Sequence, residues 1–262
     1  MRRGSVFPAF LVSLLTAVAL FALTGYQVTS ETAATRLLSR LAAALIEVDR
    51  WLPPHLDDLN LLARDRPDGF LRVPDVPIAV TLPASRVLNA EEDAVRGLLL
   101  ETMGSKLYDE GAGAFIDAEG QARSPGIAEP VHWTVALLGR GLHGFWRVVL
   151  PLALVALLAA AGALLYLGQK VLPAAIAGGL GGAAAAMLTY VLADLASRGF
   201  GSPVDQEIAL ILRDGAWLGV RNCLAVSAVA LGLLLLLRLL SPEGLTWSRR
   251  VQPPEPPQAP SV

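Results

Sequence analysis

The sequence predicts a mainly α-helical integral membrane protein, in which a four-helix bundle carries a small, mostly helical extracytoplasmic domain with at most a minor β-hairpin. Of the 262 residues, 54% are hydrophobic and 17% are charged, a composition outside the usual range of soluble globular domains. Two uncharged runs, Val148–Gln169 and Val171–Ala193, are each as long as the roughly 20 residues that span a bilayer. Only Lys170 separates them, near Gly168 and Pro173, so they predict a hairpin of two crossings.

Two further uncharged runs bring the expected number of crossings to four. The first is Val6–Tyr26. A signal peptide is the alternative, but its apolar core is usually about 7–15 residues long and precedes a small-x-small cleavage site, so the longer run favours an uncleaved signal anchor. The last run, Asn222–Leu237, reaches spanning length if Arg221 and Arg238 extend their side chains to the two interfaces.

The distribution of basic residues predicts the orientation in the membrane. When four crossings are drawn, one side receives six basic residues: Arg2, Arg3, Lys170, Arg238, Arg249 and Arg250. Because cytoplasmic loops carry an excess of Lys and Arg, both termini are expected in the cytoplasm of a multi-pass cell-membrane protein. Five arginines near membrane ends on the other side oppose this orientation: Arg140, Arg147, Arg198, Arg213 and Arg221.

These inferences divide the chain into eight segments. They are a cytoplasmic start (1–5), a first crossing (6–27), an acidic extracytoplasmic domain (28–146), a second crossing (147–169), a third crossing (171–193), an extracytoplasmic loop with a short helix (194–217), a fourth crossing (218–239) and a disordered Pro-rich cytoplasmic tail (240–262).

The acidic domain is expected to be held together by burial alone. The single cysteine, Cys223, lies in an apolar run, so the domain has no disulfide framework. From Val28 to Trp146 there are 17 acidic residues against 11 basic ones. Without a dense basic patch, the chain lacks the electrostatic footprint of nucleic-acid binding, and nucleic acid is not an expected partner.

Helical periodicity and capping signals predict the elements of this domain. An apolar arc of Leu37, Leu41, Leu45, Val48 and Leu52 predicts one amphipathic helix that starts at a Thr29–Ser30 cap and ends at Pro53–Pro54. Phe70–Val73 and Val76–Leu82 resemble strands. An Asn89-x-x-Glu92 capping box predicts a helix through about Tyr108 that Gly111 stops, and Glu129–Pro130 predicts the start of a helix that runs into the second crossing.

Small residues in the third crossing predict how the bundle packs. Ala174, Gly178, Gly182 and Ala186 recur every four residues and form a groove that lets another backbone approach closely. The Leu-rich second crossing is the expected partner, because the turn at Gly168–Pro173 makes the two helices antiparallel. The alternative is that the groove faces a second copy of the protein, which would make it a homo-oligomer.

Charged residues at the membrane ends predict two further contacts. Asp194 and Arg221, at the outer ends of the third and fourth crossings, are expected to form a structural ion pair. Arg140, His143 and Arg147 share one face of the helix just before the second crossing. That face could contact lipid headgroups of the surrounding bilayer.

No motif in the sequence specifies a reaction, and no catalytic, cofactor-binding or metal-binding residue is predicted. The three histidines, His55, His132 and His143, form no metal-binding pair. Ionisable groups also lie only at the ends of the crossings, which disfavours proton relays or proteolysis at depth. The leading hypothesis is a non-enzymatic membrane protein whose outer domain binds a partner, as a sensor or an assembly subunit. The alternatives are a component of a small-solute transporter or channel and a membrane-anchored extracytoplasmic enzyme.

Overall fold

The computed structural model describes residues 6–65, 67–115 and 129–240 and is mainly helical. The predicted start (1–5) and, apart from residue 240, the predicted tail (240–262) lie outside the described residues. In chain order the elements are α1 (Val6–Val28), α2 (Glu31–Ile46), α3 (Val48–Asp65), β1 (Phe70–Arg72), β2 (Thr81–Pro83), α4 (Ala84–Val87), α5 (Glu92–Glu110), a 3-10 turn (Gly111–Ala114), α6 (Glu129–Leu138), α7 (Arg140–Tyr166), α8 (Val171–Gly199) and α9 (Pro203–Leu240).

Four of these helices, α1, α7, α8 and α9, are long and apolar enough to cross a membrane. This confirms the prediction of a mainly helical, multi-pass architecture. The other elements form a polar domain packed at one end of the bundle, which we call the domain end. The opposite end, at the turn between α7 and α8, is called the turn end.

Aromatic side chains mark one level across the four long helices, near the domain end. Phe21 of α1 and Trp146 of α7 have ring centroids 5.5 Å apart, and Tyr190 of α8 and Trp217 of α9 lie 5.6 Å apart. From this level α7, α8 and α9 each run about 20 residues, or about 30 Å, to the turn end, and the described part of α1 runs about 15 residues. That distance matches a bilayer's hydrocarbon core, and aromatic rings favour its interfaces.

Helix α1 lies between α7 and the α8–α9 pair and packs against all three, while its other side, with Phe7, Phe10 and Phe21, is exposed. Its inward side is fully enclosed at Val12 and Ala22, which are 0% and 1% exposed. Although α7 and α8 are consecutive, they meet mainly at the turn after Leu167, where Gly168 adopts the left-handed conformation (φ 69°). The sequence predicted that α7 would pack along α8. In the structure α1 takes that position instead.

Helices α8 and α9 extend beyond the aromatic level, so most of the predicted loop 194–217 is helical. Only 200–202 separate α8 from α9, and α9 begins at Pro203, since proline favours the first position of a helix. The extension is stable because it packs on the polar domain: Ile211 is buried in the core of that domain. The hairpin of α8 and α9 thus projects about 15 Å past the aromatic level.

The polar domain has one core, formed mainly by α2, α3, α5 and the short strands. β1 and β2 pair antiparallel, with Leu71 opposite Leu82, and both side chains point into this core. Phe115 is fully buried and forms an isolated bridge with Ile78. Helix α6 closes the core with Val131 and then joins α7 at Gly139.

The predicted single helix ending at Pro53–Pro54 is wrong. Glu47 takes the left-handed conformation (φ 46°) and separates α2 from α3, and both prolines lie inside α3. The prolines are exposed, whereas Leu52 and Leu59 are buried on the other side of the helix. Burial of that apolar side maintains the helix despite the backbone hydrogen bonds that two prolines cannot donate.

The predicted capping box at Asn89 is also wrong. Asn89 adopts a left-handed conformation (φ 55°), and its backbone N–H donates to Asn60 Oδ1 at 3.0 Å. Glu91 precedes the first helical residue of α5 and makes no side-chain capping bond. The predicted stop is confirmed, since α5 ends at Glu110 and Gly111 has φ 61°.

Replacing Glu47 with glycine should stabilise the α2–α3 corner. Glycine adopts positive φ without the steric cost of a Cβ atom, and the pair that Glu47 makes with Arg50 is 3.6 Å long and exposed, so its loss costs little. We expect Glu47→Gly to raise the free energy of unfolding by about 0.5–1 kcal/mol and Glu47→Ala to leave it unchanged or lower it. Thermal unfolding in detergent measures both variants, and a less stable glycine variant would contradict the assigned corner.

Candidate functional site

The small residues of α8 lie against α1 at the half of the bundle nearer the turn end. Ser13 Oγ donates a hydrogen bond to the Ala174 carbonyl at 2.8 Å. A Cβ atom on Gly178 would collide with the Ser13 carbonyl and lie 2.9 Å from the Thr16 Cβ. Only glycine permits this approach of two backbones.

The same row continues against α9 at greater distance from the turn. A Cβ atom on Gly182 would lie 3.0 Å from Cys223 Sγ, and one on Gly219 would lie 3.4 Å from the Ala186 Cβ. The predicted packing of this groove on α7 is therefore wrong: its partners are α1 and α9. The sequence pattern located the groove but not the partner, because connection by a short turn does not require two helices to pack along their length.

Isoleucine at Gly178 should destabilise the bundle, whereas isoleucine at Gly181 should not. Gly181 lies three residues further along the same helix, and nothing lies within 4 Å of the position its Cβ would take. We expect Gly178→Ile to cost about 1–3 kcal/mol through overpacking and Gly181→Ile to have an effect within about 0.5 kcal/mol. Unfolding in detergent measures both, and equal losses would show that Gly178 makes no special contact.

Of the three residues predicted to contact lipid headgroups, Arg140 and Arg147 are exposed, whereas His143 packs between two helices. The Arg140 guanidinium lies 3.5 Å from an Asp109 carboxylate oxygen. His143 Nδ1 lies 3.2 Å from Thr29 Oγ1, and its ring is 4.8 Å from that of Tyr26. His143 thus connects α7 to α1, and headgroup contact stays a prediction for the two arginines.

The predicted ion pair between Asp194 and Arg221 is replaced by a different one. Asp194 lies 2.6 Å from Arg198 on its own helix and 3.3 Å from Arg213 on α9. Because α8 and α9 continue past the aromatic level, Asp194 faces the outer part of α9, beyond the turn of helix that carries Arg221. The error followed from ending both helices at the last apolar residue.

The Asp194 carboxylate is the first member of a network of ion pairs that extends to the polar domain. Arg213 also contacts Asp214 at 3.4 Å, Asp214 accepts from Arg40 of α2 at 2.8 Å, and Arg40 contacts Glu207 at 2.7 Å. Three cations and three anions take part, so their charges balance. This network of ion pairs connects α8, α9 and α2. Because its net charge is zero, it does not attract an ionic ligand.

Asp194 and Arg213 should be energetically coupled, and Asp194 and Arg221 should not. The two paired side chains are 21% and 31% exposed, so a double-mutant cycle with Asp194→Ala and Arg213→Ala should give a coupling of about 0.5–1 kcal/mol. The cycle with Arg221→Ala is the control and should be additive. Unfolding in detergent provides the free energies, and the reverse ranking of the two cycles would restore the original pair.

A half-buried amide contact between α9 and α1 was not predicted from the sequence. Asn222 Nδ2 donates to Gln27 Oε1 at 2.7 Å and to Thr24 Oγ1 at 3.0 Å. The available signal was an amide at the start of a crossing, with Thr and Gln at matching depth in the first crossing. Bonds of this kind between membrane helices fix their relative rotation.

A cleft of about 400 Å3 opens between α1, α8 and α9 just below this contact. Its walls are mainly small or apolar and include Ala17, Gly215 and Gly219. The two threonines in the wall already donate their hydroxyl hydrogens within their own helices, Thr24 to Leu20 and Thr189 to Ala185. The cleft thus presents few polar groups for a solute.

The polar domain has its own candidate site, a depression of about 600 Å3 at the α2–α3 corner that we call the corner groove. The corner groove lies between the end of α2, the start of α3 and the first turns of α9. Its walls are charged on both sides, with Arg40, Asp49 and Arg50 from the domain and Glu207 from α9, where the neutral Gln206 also lines the groove. Mixed charge of this kind suits a polar partner surface better than a single ion.

A smaller depression of about 370 Å3 adjoins the corner groove and shares Glu47 and Arg50 with it. Trp51 and His55 stack in its wall with ring centroids 4.6 Å apart. The Trp51 indole N–H is buried and has no hydrogen-bond acceptor among the residues that the structure describes. A buried donor without an acceptor costs free energy. An acceptor supplied by a bound partner would therefore form a favourable hydrogen bond with the Trp51 indole N–H.

The histidines occupy packing positions. His132 lies edge-on to Phe115 at 5.6 Å. His55 stacks on Trp51, and the His143 ring is tilted against that of Tyr26. Within the described ranges 6–65, 67–115 and 129–240, no three His, Cys, Asp or Glu side chains come together as a metal ion would require.

Comparison with known proteins gives no relative from which a role could be transferred. No protein-family model matches the chain, and no curated protein or solved structure matches it.

Proposed function

We propose that this chain is a non-enzymatic, multi-pass protein of the cell membrane whose polar domain lies outside the cytoplasm and binds a protein partner there, as a sensor or an assembly subunit. The corner groove is the proposed binding surface. It is a sizeable depression in the polar domain with charged residues on opposing walls, and one of its walls belongs to a membrane helix.

The direct continuity of the polar domain with the bundle supports a role in transmitting binding across the membrane. Helix α9 borders the corner groove in its first turns and continues without interruption to Leu240. Only Thr29 and Ser30 separate α1 from α2, and only Gly139 separates α6 from α7. A partner that moves the wall of the groove therefore acts on a helix that spans the bilayer. This continuity is the observation that carries the proposal.

The two alternatives have less support. A solute pathway needs polar groups along its length, and the cleft between α1, α8 and α9 is lined mainly by apolar and small side chains. An enzyme needs titratable groups that are available to a substrate. The histidines of the described part of the chain pack against aromatic rings, and in the corner groove Glu207 pairs with Arg40 and Asp49 with Arg96.

Chemical labelling of cysteines in intact cells tests both the location and the occupancy of the corner groove. In a Cys223→Ser background, Gln206→Cys places a thiol in the groove and Thr81→Cys places one on an exposed part of β2. Both should react with a membrane-impermeant maleimide, whereas Glu255→Cys in the tail should not. A bound partner should slow the reaction at Gln206 several-fold relative to Thr81 in native membranes but not in the purified protein.

The binding surface is tested further by Arg50→Ala, which should remove the protection at Gln206. Equal reactivity of Gln206 and Thr81 in native membranes would rule out occupancy of the groove. Labelling at Glu255 with protection at Thr81 would reverse the proposed orientation.

A further inference from the structure

A second pocket, of about 350 Å3, lies at the turn end of the bundle, where α7, α8 and α9 converge. We call it the turn-end pocket. Its walls are largely apolar and come from three helices: Leu165, Leu172, Leu234 and Leu237. Lys170 and Arg238 also line it. The pocket thus combines a leucine wall with two cationic side chains.

The described residues at this end carry a net positive charge. Described residues within two helical turns of the turn end, 6–12, 160–178 and 230–240, contain Lys170 and Arg238 and no acidic residue. Lys170 directly precedes the first helical residue of α8, a helix of 29 residues. The N-terminus of that helix adds further positive potential, because its first backbone N–H groups have no intrahelical acceptor.

The depth of the pocket matches the boundary between acyl chains and headgroups. Its leucines belong to the last turns of α7 and α9 and the first turn of α8. The turn end lies about 30 Å from the aromatic level, which places the two cations at the opposite interface of the bilayer. A ligand that fits must carry an anionic group at the interface and an apolar chain below it.

We propose that the turn-end pocket binds an anionic phospholipid, with the phosphate between Lys170 and Arg238 and an acyl chain along the leucines. Charge complementarity favours this occupant over a second copy of the chain, whose described turn end carries the same positive charge. Basic pockets between membrane helices recognise anionic lipid headgroups in this way. This site is at the opposite end of the bundle from the corner groove, and neither depends on the other.

Thermal unfolding of the purified full chain in detergent, titrated with lipids of identical acyl chains, tests the proposal. Phosphatidylglycerol should raise the unfolding temperature in a saturable manner, and phosphatidylcholine should not. Each cation near a charged interface contributes about 1 kcal/mol, a factor of about 5 in affinity. The variant with Lys170→Gln and Arg238→Gln together should therefore bind phosphatidylglycerol about 25-fold more weakly. Lys106→Gln, which removes a cation of the polar domain, is the matched control and should bind normally.

Four results would overturn the proposal. Equal stabilisation by phosphatidylcholine would show that the pocket takes any acyl chain, and equal stabilisation by inorganic phosphate would show that it takes a free anion. A changed oligomer profile in the double variant would assign the pocket to a second copy. If phosphatidylglycerol stabilises only a chain that ends at Leu240, the tail 241–262 occupies the pocket.

Discussion

Close backbone contact around α1 is the constraint on which the rest of the bundle depends. Within a bilayer, burial of apolar surface does not drive helices together, because lipid tails are as apolar as leucine. Association must come from short-range packing and hydrogen bonds. Gly178 supplies the packing against Ser13, and Ser13 donates to the Ala174 carbonyl. The enclosed side of α1 follows from these contacts.

The polar domain obeys a different physical rule, since it has water on its outside and a conventional apolar core. Residues of α2, α3 and α5 fill that core, and Ile211 of α9 joins them. Because α9 is therefore held by burial at one end and by membrane packing at the other, the two parts of the molecule share one rigid element. The network of ion pairs from Asp194 to Glu207 lies at the junction between the two environments.

The crossings could be predicted from sequence because each is a long apolar run, and the bilayer sets how long such a run must be. The start of α9 and the end of α5 were also readable, since Pro203 and Gly111 have local conformational preferences. The packing partner of each helix could not be predicted. The row of small residues on α8 indicates that another helix approaches closely, but it does not identify that helix. The break at Glu47 escaped prediction because it depends on how Leu52 and Leu59 fit the domain core.

The candidate site was largely beyond the sequence for the same reason. The corner groove brings together Arg50 and Glu207, which are far apart in the chain. Neither residue belongs to a motif, and their approach depends on the unexpected outward extension of α9. The turn-end pocket likewise joins Lys170 to Arg238 across two helices. Lys170 and Arg238 were placed on one side of the membrane from sequence, but their convergence on a leucine wall needs the fold.

The hydroxyl groups of α1 have a consequence for how the protein is assembled. Thr16 and Thr24 each donate to the carbonyl four residues earlier, as does Thr29 just after the helix, and Ser13 reaches Ala9 as well as α8. Synthesis begins at the N-terminus, so α1 enters the bilayer before any of its three partners exists. A helix whose hydroxyl groups are satisfied internally can remain in lipid alone at little cost, and the Gln27 amide, which bonds to α9, lies at the domain end. Helix α1 is therefore stable in the bilayer before α7, α8 and α9 are inserted, and these helices then pack against it.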